Sequence, residues 1–401
     1  MKIVLAPDKF KGSLTAPEVA DALAEGLREV LPGADLILVP VADGGEGTVG
    51  AALGAGFSPR RARVSGPTGE PLTAEFAVDA SSASRCRAVV EMAAASGLDV
   101  LPGGIKDARN ATSLGTGQLI RAALDAGARE IILGVGGSAC TDGGAGMLQG
   151  LGARFTDDGG NELPLGGAAL ARIAEADLSG LDARLDGSTL ILAADVDNPL
   201  LGERGAAAVF GPQKGATPAD VAELDAALAR FAEVLGREMG ARTVAAKDAP
   251  GAGAAGGVGY AALALGAHRR RGIDVVVEFT GLRHKLEGAA LVVTGEGSLD
   301  AQSLAGKAPV GVASTGRALG VPVVAVCGRT LLDEATLRGA GFSAVHALTD
   351  LEGDVEVCLR EARRLVREAG RLIGAGLQGA LAGTSDPLTN VDTDSRKETV
   401  R

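Results

Sequence analysis

Short apolar runs alternate with stretches of helical periodicity along most of the chain, and the runs break into loops rich in glycine and acid. Residues 2–6 predict a strand, followed by a polar loop over 7–13 and a helix. Thr15-Ala16-Pro17-Glu18 has the letters of a capping box, in which hydroxyl and carboxylate satisfy each other's backbone amides. Val19, Leu23, Leu27, Val30 and Leu31 then supply one apolar face at helical spacing. Residues 36–41 predict the next strand, which ends in Ala42-Asp43-Gly44-Gly45-Glu46-Gly47-Thr48 before an alanine-rich helix. Strand, helix and strand in that order call for a parallel, doubly wound sheet.

From about Arg61 the texture changes. Residues 61–64 and 72–78 read as two strands joined by a turn at Pro67-Thr68-Gly69-Glu70-Pro71, and 87–92 adds a third. That hairpin predicts a mixed sheet, which continues through a helix at 118–124 and strands at 131–135 and 190–194. A βα pattern resumes at Leu291, with strands at 321–327 and 344–348 and a long helix over 357–381. The expected organisation is a discontinuous parallel-sheet domain, 1–60 with 285–381, interrupted by a mixed α/β domain over 61–284. Residues 382–401, polar and proline-interrupted, are expected to be a loose tail.

The chain reads as organised around 291–309, LVVTGEGSLDAQSLAGKAP: three apolar strand residues, then an expected glycine turn at Thr294-Gly295-Glu296-Gly297 carrying Glu296, with Asp300, Ser303 and Lys307 beyond. Open α/β sheets place ligands at such strand ends. Glycine lets backbone amides approach a phosphate, and carboxylates can hold Mg²⁺.

Composition narrows the classes. With 46% hydrophobic and 22% charged residues the chain is a folded globular protein. A formal charge of −11 argues against nucleic acid, which needs a basic footprint, and no Trp with one Tyr gives no stacking platform for bases. No segment reads as a membrane span, and the N-terminus lacks a signal peptide's apolar region. The four cysteines and three histidines are isolated, without zinc spacing. A cytoplasmic location with free thiols is expected; homo-oligomer formation stays open. The 61 glycines punctuate strands and helices, which points to many backbone-lined loops.

Gly134-x-Gly136-x-x-Ala139 follows a strand and meets the relaxed dinucleotide fingerprint, with Asp157 about twenty residues on. A dinucleotide-dependent oxidoreductase acting on a small hydroxy acid is therefore an alternative. Against it, Asp142 and two more glycines occupy the place where the fingerprint helix should already run. Gly251-x-Gly253-x-x-Gly256 has stricter letters but follows Lys247-Asp248-Ala249-Pro250 instead of a strand. Gly306-Lys307 is followed by alanine, so no P-loop is present. Asp195-Val196-Asp197-Asn198-Pro199 closes the strand 190–194, a place for a general base or a metal ligand. Lys214 stands in a turn, and Thr112 and Ser113 open a helix that suits an anion.

Together the blocks APDKFKGSLTA, PVADGGEGT, TSLGTG, GGSACTDGGAGM, DVDNPL, FGPQKGA, PGAGAAGG and TGEGSLDAQSLAGK resemble the bacterial glycerate kinase family of the type I class, colinearly from Met1 to about Leu381. The resemblance implies ATP-dependent phosphorylation of D-glycerate, typically at the 2-hydroxyl. It also implies a flavodoxin-like domain interrupted by one resembling a restriction-enzyme fold, with the active site in the cleft between them. A non-catalytic sugar-acid binding protein is a third reading, against which the intact acids and lysines argue. Departures stand at Leu114, Thr141 and Ser298, and two of them remove positive charge usual in relatives.

On this footing Asp195 is the expected base, with Asp43 next in rank, and Glu296 and Asp300 are assigned to Mg²⁺ with Asp8 nearby. Lys11, Lys214 and Lys307 are candidates for phosphate or carboxylate charge. Ser13, Gly44, Gly45, Glu46, Thr112, Ser113, Gly137, Ser138, Asp142, Asn198, Gly253, Gly256 and Ser303 complete the expected substrate and phosphate contacts.

Overall fold

The capping box at Thr15 forms as its letters predict. Thr15 Oγ1 accepts from the Glu18 amide, Glu18 Oε2 accepts from the Thr15 amide at 2.8 Å, and the helix Ala16–Val30 starts there. The structure, a computed structural model, describes residues 1–81, 86–381 and 383. The expected tail, 382–401, lies outside the described residues except for Gly383. In chain order the strands are β1 (Lys2–Pro7), β2 (Asp35–Leu38), β3 (Ser58–Ser65), β4 (Pro71–Asp79), β5 (Arg87–Glu91), β6 (Glu130–Gly134), β7 (Arg154–Thr156), β8 (Glu175–Asp177), β9 (Thr189–Ala193), β10 (His268–Arg270), β11 (Leu291–Leu299), β12 (Val323–Thr330) and β13 (Ala344–Ala347).

Two compact units result. One comprises Met1–Ala42 and the described residues from Val277 onward; the other is Asp43–Val276. In the first unit five parallel strands run in the order β13-β12-β11-β1-β2. Ile3, Leu5, Leu291, Val293, Val324 and Val326 bury their side chains with Leu23, Leu27 and Val366 from the helices Ala16–Val30 and Ala362–Leu381. The single long helix expected over 357–381 is two, Val355–Arg360 and Ala362–Leu381, parted at Glu361, whose backbone leaves the helical region.

The glycines of 294–297 do not form the expected turn. β11 runs on to Leu299, pairing Ser298 with Arg329 and Leu299 with Thr330 of β12. A Cβ on Gly295 would sit 2.0 Å from the Val326 carbonyl oxygen, so glycine is needed for the close approach of β12.

The second unit holds a six-stranded sheet, β10-β9-β6-β5-β4-β3, parallel from β10 to β5 and antiparallel through β4 and β3. This is the mixed sheet that the hairpin texture calls for. The unit begins at Asp43, ahead of the hairpin, because the helix Thr48–Gly54 packs on β4 and β5. Its core gathers Ile131, Leu133, Leu192, Leu228, Phe231 and Tyr260. The four cysteines are buried free thiols. Among the described residues no helix is long and apolar enough to cross a membrane.

Candidate active site

In the second unit the parallel strands β6 and β9 end in polar loops, where such sheets place ligands. Asp195 follows β9 by two residues. Its Oδ1 accepts the Gly272 amide at 2.8 Å, and its Oδ2 is shielded from solvent without a hydrogen-bond partner among the described residues. Burial pushes the Asp195 carboxyl up to about 7, with the Asp43 charge adding to the rise. The Gly272 bond and the charges of Arg269 and Arg271 oppose it.

Backbone packing brings Asp43 to this place. A Cβ on Gly272 would lie 1.9 Å from the Asp43 carbonyl oxygen, and one on Gly44 would lie 2.7 Å from the Gly272 Cα. The same loop rests on the end of β6, where a Cβ on Gly134 would meet the Gly44 oxygen at 2.5 Å and one on Gly136 the Gly45 Cα at 2.6 Å. Asp43 Oδ1 accepts the Gly45 amide at 3.2 Å, which folds the carboxylate back over its own loop. From β5, Glu91 Oε1 accepts the amides of Gly47 (3.0 Å) and Val49 (2.5 Å), fixing the start of the helix Thr48–Gly54. Glu46, just before Gly47, is exposed.

The glycines of the dinucleotide-like fingerprint are thus used by protein backbone. The helix after them starts only at Ala145, and its first amides meet a carboxylate already present. Asp142, 1% exposed, accepts Ser113 N (2.7 Å), Ser113 Oγ (2.8 Å), Gly144 N (3.1 Å) and Gly146 N (3.3 Å), with Thr112 Oγ1 at 3.4 Å. It ties the starts of the helices Leu114–Asp125 and Ala145–Gly150 together. Thr112, Ser113 and Asp142 therefore form a buried knot whose hydrogen-bonding capacity is turned inward. Gly137 carries φ 72°, and Ser138 is buried, bridged to Gly97.

Lys214, 1% exposed, donates to the Cys140 carbonyl oxygen at 2.5 Å, and burial pulls its ammonium down. A Cβ on Gly256 would come within 2.1 Å of that same oxygen. Asn198 O accepts the Gly253 amide at 2.9 Å, while Asn198 Nδ2 donates to Arg204 O at 2.8 Å. These contacts hold the loop after Asp195 to 251–257.

In the first unit β1 and β11 are neighbours, and the loop after β1 runs against the end of β11 itself. The Asp8 amide donates to Gly295 O at 2.8 Å, and a Cβ on Gly297 would be 3.1 Å from Lys11 N. Asp8 and Glu296 are buried, Lys11 is exposed, and Ser13 Oγ donates to Phe10 O at 3.1 Å. Asp300 Oδ1 accepts the amides of Gln302 (2.8 Å) and Ser303 (3.2 Å), closing a turn around the buried Ser303. Lys307 stands half-buried at the start of the helix Ala308–Ala318. Among the described residues no three His, Cys, Asp or Glu side chains gather as a cage for a metal ion. Mg²⁺ ordinarily enters with substrate phosphates on one or two carboxylates, without a protein cage.

Arg269, Arg271, Gly272 and Glu91 lie outside the sequence blocks that point to the site. The run His268-Arg269-Arg270-Arg271-Gly272 carries a signal in retrospect, three cations followed by glycine.

One parallel and one mixed sheet, with acid- and glycine-rich loops at their strand ends, make this an α/β protein with a half-buried carboxylate where such folds place ligands. The family model described as glycerate kinase family matches residues 3–378, and the chain belongs to that family and is a kinase. It is 45% identical over 379 residues to a glycerate 2-kinase of Escherichia coli (strain K12), covering 94% of this chain and 98% of that one. It is 43% identical over 380 residues to a glycerate kinase of Bacillus subtilis (strain 168), with the same shares covered. A solved structure from Salmonella typhimurium LT2, assigned as a glycerate kinase 2, superposes with a TM-score of 0.81 at 43% identity, over 95% of this chain and 99% of that one. Kinase membership displaces the dinucleotide-dependent and non-catalytic readings.

Proposed function

We propose that this chain transfers the γ-phosphoryl group of ATP to the 2-hydroxyl of D-glycerate, giving 2-phosphoglycerate and ADP. The observation that carries the reading is Asp195, a half-buried carboxylate at a strand end with one oxygen held by Gly272 and the other without a partner. The names of its relatives support glycerate as the substrate, and membership of a kinase family supports a nucleoside triphosphate, ATP, as the donor. The strand order of the first unit supports a flavodoxin-like domain, whose ligands sit where the sheet order reverses, between β1 and β11.

The hydroxyl oxygen of glycerate forms a bond to the γ-phosphorus while the bond from that phosphorus to the bridging oxygen of ADP breaks. The hydroxyl proton passes to the Asp195 carboxylate. A base whose carboxyl titrates near 7 is ionised above that pH and weakly enough held to accept and release a proton at neutrality. Asp43 tunes that titration through its charge. Lys11 and Lys307, with amides of the loops after β1 and β11, meet phosphate charge. Mg²⁺, when bound with the nucleotide, would offset further charge, and Glu296 and Asp300 would hold it. Asp142, Thr112, Ser113 and Lys214 act through the loops that they fix, because their polar atoms are buried and engaged within the protein. Positioning in line contributes more than proton transfer in such loose transition states.

A coupled assay of ADP release with D-glycerate, run beside NADH absorbance with the same acid, tests the reading. ADP release that depends on D-glycerate is expected. No ADP release, or reduction of a nicotinamide, would overturn it.

A further inference from the structure

We propose that Arg271 holds the carboxylate of the acid substrate and so decides which hydroxyl reaches Asp195. The inference rests on the reading of Asp195 as the base. Arg271 immediately precedes Gly272, whose amide binds Asp195 Oδ1, so the two groups share one anchor point. Its guanidinium is already oriented. Nε donates to Asp274 Oδ2 at 2.8 Å and Nη2 to Asp274 Oδ1 at 2.9 Å, which occupies one edge of the fork. The Nη1/Nη2 edge makes no other hydrogen bond among the described residues, and the side chain is 56% exposed. A planar fork with one edge fixed and the other open suits a second carboxylate, because little rotamer freedom remains to be lost.

The other cations nearby are held in place, Arg269 through Nη2 alone, its Nε being buried without a partner among the described residues. Arg269 donates to Asp197 Oδ1 (2.6 Å) and Val196 O (3.2 Å), and Lys214 is buried on Cys140 O. Arg270 points to the opposite face of the strand by the two-residue alternation.

The chemistry of a 2-hydroxy acid calls for such a group. Its carboxylate lies one carbon from the reacting hydroxyl, so a base that reaches the hydroxyl also meets the anion. Asp195, Asp43 and Asp274 all add negative charge around that place; Arg271 and Arg269 are the cations opposing it. With the carboxylate on Arg271, the hydroxyl on the adjacent carbon lies nearest Asp195, and the terminal hydroxyl is a carbon further away.

The test compares wild type, Arg271→Gln and Arg271→Lys by steady-state kinetics with D-glycerate and ATP, using glyceramide, the neutral amide of the substrate, as competitive inhibitor. The KM for D-glycerate should rise roughly 30-fold or more in Arg271→Gln and less in Arg271→Lys. The KM for ATP and the Ki of glyceramide should stay within about threefold, since neither meets the lost charge. An unchanged KM for D-glycerate, or a parallel loss for glyceramide, would overturn the assignment in favour of a purely structural ion pair with Asp274. A wild type that releases no ADP with D-glycerate would instead sink the functional reading, and the carboxylate clamp with it.

Discussion

Replacing Asp195 by Asn should separate activity from stability, and in opposite directions. Asparagine keeps the shape and can still accept the Gly272 amide through its carbonyl oxygen, but it cannot take a proton at neutral pH. Turnover with D-glycerate should fall ~10²-fold or more while the KM for ATP changes little. Stability should rise. The Asp195 carboxyl stands at about 7 against the ordinary 3.8, and that interval corresponds to a ceiling of roughly 4 kcal/mol. Partial exposure and relaxation should leave about 1–3 kcal/mol of this.

A raised carboxyl means that the folded state binds the proton more tightly than the unfolded chain. Wild-type stability from this group is therefore full below about pH 4 and is lost as pH rises through about 7. The advantage of Asp195→Asn in urea unfolding should be largest at pH 8 and close towards pH 4. A loss of turnover below about tenfold would reduce Asp195 to a positioning residue. Equal stability of the two proteins at pH 8 would refute the argument that burial perturbs the carboxyl.

Other substitutions probe the groups around Asp195 and the loops that hold them. Asp43→Asn removes a charge that holds the Asp195 carboxyl up, so the acid limb of kcat/KM should move to lower pH, with Arg269 and Arg271 left as the charged neighbours; a pH–rate profile reads this directly. Asp142→Ala strips the acceptor from a buried knot of hydroxyl and amide donors and should cost at least ~3 kcal/mol in denaturant unfolding. Ala255 is the sole non-glycine residue with positive φ among the described residues, at 55°, and Ala255→Gly should stabilise by up to about 1 kcal/mol, seen as a higher Tm.

Much of this architecture was legible because it rests on local chemistry. The Thr15 and Glu18 pair marks a helix start wherever the chain goes, and the hairpin at 61–78 needs only its turn and its strands. Glycine was harder to read, because one letter serves both a turn and a close backbone approach. Gly295 reads as a turn in the sequence but lets β12 press against β11, and Gly134 and Gly136 read as a nucleotide loop but accommodate Gly44 and Gly45. The acids were ambiguous for a similar reason. Asp142 and Asp195 look alike as letters, and only the donors around them show that one is filled from within and the other is left with an unpartnered oxygen. The arginines beside Asp195 carried no periodic signal, since their meaning lies in the parallel pairing of β10 with β9.

Phosphorus NMR of the reaction of ATP with D-glycerate shows where the phosphoryl group goes, because proton coupling reports which oxygen received it. The γ-phosphate signal should give way to ADP and to a phosphomonoester split into a doublet by the single proton on C2. A triplet, from two protons on C3, would contradict the placement of substrate between Arg271 and Asp195, and the absence of any new phosphomonoester would contradict the function itself.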